Sequence, residues 1–137
     1  MDEPWHIAYF IRHPDDDRAQ AAPGHDFLES CPIPVRRVLK EILASVASAP
    51  PPAFTGGGMW KATHGDLRGY HEVRARHGRL LYRLFCRLDR DPATERRLVT
   101  VVDGAVKPVG TALPPAVYAR VRRYGDEYLA RSPRSVV

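Results

Sequence analysis

YHEVRARHGRLLYRLFC, running from Tyr70 to Cys86, decides how the rest of the chain is read. Alternating apolar and polar residues flank His77-Gly78 on both sides. Glycine serves a tight turn, and histidine tolerates a positive φ better than most residues. A two-residue loop at His77-Gly78 would pair Arg76 with Arg79, Arg74 with Leu81, Val73 with Tyr82 and Glu72 with Arg83. Side chains in a strand alternate between faces. One face therefore carries His71, Val73, Ala75, Leu80, Tyr82, Leu84 and Cys86, and the other carries Glu72, Arg74, Arg76, Arg79, Leu81 and Arg83. The first is a core face and the second a basic one. A loop one residue longer would slip the register and mix the two sets.

Outward from this hairpin, RLVTVVD (Arg97 to Asp103) reads as a further antiparallel strand. A last helix follows PPAVY, with Val117, Val121, Tyr124 and Tyr128 on one side and Arg120, Arg122 and Arg123 on the other. Toward the N-terminus, WHIAYFI (Trp5 to Ile11) is an aromatic and β-branched strand. HPDDDRAQAAPGHD is a polar loop, with a short helical turn near Phe27 and Leu28. PVRRVLKEILASVAS opens on Pro34, which suits a first helical position. It repeats Val35, Val38, Leu39, Ile42 and Val46 at helical spacing. Pro50, Pro51 and Pro52 end that helix, and FTGGGMW is a connector. The expected architecture is α+β in the order β-α-β-β-β-α, one antiparallel sheet with helices on one face, as a single domain over residues 1–137.

The 137-residue length and 44% hydrophobic content suit one modest core. No apolar run approaches the ~18 residues of a bilayer span, and MDEPWHIAYF lacks the basic start of a secretory signal. A cytoplasmic protein with no membrane partner is expected. Cys31 and Cys86 have no metal-ligand spacing and are expected as reduced core residues. His6 with His13, and His64 with His71, have no ligand set around them. Gly56 to Gly58 lack the Lys-Ser/Thr of a phosphate loop. No metal and no cofactor are expected.

Ten Lys/Arg against five Asp/Glu lie between Lys61 and Arg97, which accounts for the whole formal charge of +5. The plain reading of the basic face is a solvated sheet surface, with Glu72 relieving part of the arginine repulsion. The sharper reading is a polyanion site, since arginine contacts to phosphate give affinity without sequence choice. With the helices stacked on the apolar face, the basic face would be open, and a single-stranded RNA could lie across it. Arg76, Arg79, Lys61 and Arg68 are the candidate RNA-binding residues.

HGDLRGYHEVRARHGRLLYRLFCRLD, VTVVDGAVKP and PPAVYARVRRYGDEYLA together resemble the RelE/HigB superfamily of toxins from type II toxin–antitoxin pairs, most closely the phage-derived HigB-like branch. The pattern is Leu67-Arg68-Gly69, Glu72-Val73-Arg74, Tyr82-Arg83, Lys107 and Tyr128, over about residues 60 to 131. The resemblance implies a RelE-like fold and a cytoplasmic, metal-free endoribonuclease that cuts mRNA on the ribosome. It also implies a cognate antitoxin as partner. Carried over, Arg74, Arg83 and Lys107 are the catalytic candidates. Arg83 and Lys107 would stabilise the phosphorane and Arg74 would clamp the phosphate. The loop PVGTALPP after Lys107 has no tyrosine, so Tyr118 or Tyr124 would have to reach in from the last helix. The alternative is a non-catalytic or ParE-like member that binds a protein target such as a topoisomerase. Arg83→Ala with Lys107→Ala is expected to abolish toxicity in a folded protein, both positions being read as exposed.

Overall fold

The computed structural model describes residues 5–49, 59–63 and 65–137. The prolines at 50–52, the glycines at 56–58 and His64 lie outside the described residues. The fold is α+β. β1 (His6–Tyr9) is followed by α1 (Pro23–Ser30), α2 (Ile33–Ser48), β2 (Trp60–Ala62) and a short 3-10 turn at Gly65–Leu67. Then come β3 (Tyr70–His77), β4 (Leu80–Arg90), β5 (Arg97–Pro108) and α3 (Pro115–Leu129). The strands form one sheet in the order β1-β5-β4-β3-β2.

The hairpin sorts its side chains as the alternation predicts, but its loop sits one residue further on. His77 pairs with Leu80 and Arg74 with Arg83, leaving Gly78 and Arg79 as the turn. Gly78 has φ +61°, the conformation glycine adopts at no steric cost at the first position of a tight hairpin turn. Each strand moves by one residue relative to the expected pairing. The two shifts together are even, so no side chain changes face.

Four expectations are corrected. β1 runs parallel to β5, with His6 opposite Leu98 and Tyr9 opposite Val101, so the sheet is mixed. A parallel neighbour needs a crossover connection, and the stretch holding both α1 and α2 leaves β1. The helices also cover both faces. α1 and α2 bury Leu28, Val35, Leu39, Leu43 and Val46 against Val73, Leu84, Cys86, Val99 and Val101. α3 packs Val121 and Tyr128 on the opposite face, against Phe10, Tyr70, Phe85 and Val102. The basic face is thus basic only toward the hairpin end. Toward the other end Tyr70, Phe85 and Val102 make it mainly apolar, with the Arg87 guanidinium laid over the Tyr70 ring, and apolar sheet surface drives helix packing whichever face it lies on. β2 and α1 are also full elements where a connector and a single turn were expected.

A bulge in β5 has consequences for the site. Phe85 pairs with Asp103 but Cys86 pairs with Val101, so Val102 has no residue opposite. Such an extra residue reverses the alternation beyond it. Val99 and Val101 point into the α1/α2 core. Beyond the bulge Asp103, Ala105 and Lys107 share the opposite face with their partners Phe85, Arg83 and Leu81. Gly104 then faces α1, where the Phe27 ring occupies the space of a Cβ. The far end of α3 is held by the buried Tyr128 hydroxyl, 2.9 Å from Thr100 Oγ1 and donating to Asp89 at 2.8 Å. Burial pushes that phenol above its ordinary pKa.

Cys31 and Cys86 are free and buried, and burial raises both thiols. No helix among the described residues is long and apolar enough to cross a membrane.

Candidate anion-binding cleft

β2 lies beside β3 with Lys61 opposite Glu72, and β4 lies on the other side with Arg83 opposite Arg74. Those residues share the face on which α3 sits. Where α3 leaves the sheet uncovered, a cleft of about 420 Å³ opens. Lys61, Ala62, Thr63, Leu67, Glu72, Arg74 and Arg83 line it from the sheet side, and Tyr118 lines it from α3. The Thr63 hydroxyl shares its one proton between the Leu67 and Tyr70 carbonyls, which ties the 3-10 turn to the end of β2.

Glu72 is the centre of the charge arrangement. It is 4% exposed, and one carboxylate oxygen accepts from Arg74 Nε at 2.9 Å and lies 2.8 Å from Arg74 Nη2. Its other oxygen accepts from Arg83 Nη1 at 3.4 Å. Cross-strand neighbours that would repel are therefore bridged by one carboxylate, which is how two arginines come to stand side by side on adjacent strands. Three cations and one carboxylate line the cleft, so positive charge is in surplus. Arg83 Nε is buried with no hydrogen-bond partner among the described residues.

The sequence-derived candidates divide. Lys61, Arg74 and Arg83 come together in the cleft. Lys107 shares their face through its pairing with Leu81, but its ammonium donates to the Thr111 carbonyl and does not line the cleft. Arg76 and Arg79 are exposed at the hairpin end, Arg76 Nε donating to the Gly78 carbonyl at 3.2 Å. Arg68 is exposed just beyond the 3-10 turn and is not among the lining residues. The expected open basic face is corrected: α3 roofs the end that carries Tyr70, Phe85 and Val102, which leaves the hairpin end uncovered. Arg83 is not exposed either. At 9% exposure it is part of the buried framework, so its removal tests stability as well as chemistry.

Of the two tyrosines, Tyr118 reaches the cleft. Tyr124 packs toward Phe10, with the Arg12 and Arg123 guanidiniums each 5.2 Å from its ring centre. His71 faces the α1/α2 side as expected. It stacks on Trp60 with centroids 4.6 Å apart, its Nδ1 has no partner among the described residues, and burial lowers its pKa. Thr63 forms part of the cleft without any motif that would have singled it out, and Leu67, though part of the quoted Leu67-Arg68-Gly69 pattern, was not among the candidate site residues. Glu72 was legible as a charge partner but not as the centre of the site.

The cleft has the parts a phosphodiester reaction uses. Guanidiniums hold phosphate oxygens and stabilise added charge. A carboxylate can take a proton and a phenol can deliver one. No family model, no curated protein and no solved structure matches this chain.

Proposed function

We propose that the chain is a RelE/HigB-type toxin of a type II toxin–antitoxin pair. It acts in the cytoplasm as a metal-free endoribonuclease on mRNA at the ribosome, and a cognate antitoxin restrains it. The observation that carries this reading is the convergence of Lys61, Arg74 and Arg83 around Glu72 beneath Tyr118.

The RNA 2′-oxygen attacks its own 3′-phosphorus, and the bond to the next nucleotide's 5′-oxygen breaks. The products are a 2′,3′-cyclic phosphate and a 5′-hydroxyl. Glu72 takes the 2′-hydroxyl proton, and the Tyr118 phenol protonates the departing 5′-oxygen. Arg74, Arg83 and Lys61 balance the charge of the phosphorane. Glu72 retains lone pairs beyond those engaged by arginine, since an ionised carboxylate has about four acceptor sites.

A second reading is favoured by one observation. Glu72 already engages both guanidiniums, which suits a site that binds an anion or a protein target such as a topoisomerase without chemistry. Purified ribosomes, a defined mRNA and the protein, with RNA ends mapped by primer extension, separate the two. A matched reaction without ribosomes runs alongside. Cuts confined to translating ribosomes, and lost in Tyr118→Phe, are expected. Intact RNA in both reactions, from folded protein, would overturn the ribonuclease reading in favour of binding.

A further inference from the structure

α3 seats Val121 and Tyr128 in its core, with Val117 and Tyr124 alongside. At about 100° of turn per residue, Tyr118 stands on one flank of that seam and Arg120 on the other. The Tyr118 flank borders the cleft, and the Arg120 flank grips β5. Arg120 Nε donates to Asp103 Oδ2 at 2.7 Å, and its Nη2 donates to the Gly104 carbonyl at 3.1 Å. Asp103 is 4% exposed, and its other oxygen accepts the Gly104 N–H at 2.8 Å. The β5 bulge is what aims Asp103 at the helix, since strict alternation from Val99 and Val101 would point it into the opposite core.

Apolar contacts are non-directional and define the roll of a helix on a sheet less sharply than a hydrogen bond does. A two-pronged guanidinium contact is directional. The Tyr128 hydroxyl holds the C-terminal end of α3, so the contact at Arg120 acts on the half that carries Tyr118. We propose that Asp103 and Arg120 form a positioning pair that sets the roll of α3 and so places the Tyr118 phenol over Arg74 and Arg83. The catalytic consequence rests on the ribonuclease reading; the roll itself does not.

Two readouts on the full chain test this. The first is the ¹⁹F resonance of 3-fluorotyrosine placed at Tyr118, with a second probe at Tyr82 on the opposite face as reference. Folded Arg120→Ala is expected to shift or broaden the Tyr118 signal while leaving the Tyr82 signal in place, and Arg120→Lys should restore part of it. An unmoved Tyr118 signal in folded Arg120→Ala would overturn the proposal. The second is ribosome-dependent cleavage. In Arg120→Ala, kcat should fall about tenfold or more through misplacement of one group, with KM within about twofold of wild type. A loss explained entirely by a smaller folded fraction would leave the pair a structural tie and overturn its positioning role. If the wild-type protein cuts nothing, the ribonuclease reading fails, and the fluorine signal alone decides whether the pair sets the roll.

Discussion

Glu72→Met tests whether one carboxylate holds the cleft together. Both side chains of the Glu72–Arg83 pair are shielded, at 6% and 11% exposure. Removing the carboxylate leaves the Arg83 guanidinium buried without a counter-charge, while Arg74, at 30%, can turn to water. Breaking a buried pair from one side costs about 3–5 kcal/mol, a large share of the roughly 5–15 kcal/mol that holds a domain folded. Arg83→Met should cost less, about 1–2 kcal/mol, because Glu72 keeps its contacts to Arg74. The double variant replaces the pair with apolar side chains and should recover to within about 1–2 kcal/mol of wild type. Urea unfolding with a slope of about 2 kcal/mol per molar would show Glu72→Met as a midpoint lowered by roughly 1.5–2.5 M. A Glu72→Met cost below about 1 kcal/mol would refute the reasoning, as would a double variant equal to the sum of the singles.

Gly125→Ala should destabilise the protein by about 1–3 kcal/mol through overpacking, although alanine favours a helix interior over glycine by about 1 kcal/mol. The new Cβ would overlap the Tyr70 hydroxyl oxygen, and thermal melting reads the sign. Burial raises the Asp103 carboxyl above its ordinary value, against the lowering pull of Arg120 and the Gly104 N–H. The folded state therefore binds that proton more tightly than the unfolded one. Stability should fall as pH rises from the unfolded carboxylate value of about 3.9 through the raised folded one. Asp103→Asn should remove this slope, so its stability relative to wild type should be greatest at neutral pH and decline on acidification. A stability difference independent of pH would contradict the assignment.

The alternation from Tyr70 to Cys86 determined on its own which residues share a face. It survived an error in the turn because the two strands slipped together and the slip was even. The helical repeats at Val35, Leu39, Ile42 and Val46 and at Val121 and Tyr128 were legible for the same reason. Each is a local period imposed by backbone geometry. Where the pattern met a tertiary choice, it stopped deciding. Tyr70, Phe85 and Val102 make the far end of the basic face apolar only once three strands lie side by side, and that patch draws α3 over it. The unpaired Val102 reverses the side-chain order of β5, turning Asp103 toward α3 and placing Lys107 on the same face of the sheet, which no strict alternation anticipates. The mutual pairing of Glu72, Arg74 and Arg83 depends on the β3–β4 register, and the place of Tyr118 on the packing of α3. Periodicity is a property of a segment; a cleft is a property of how segments meet.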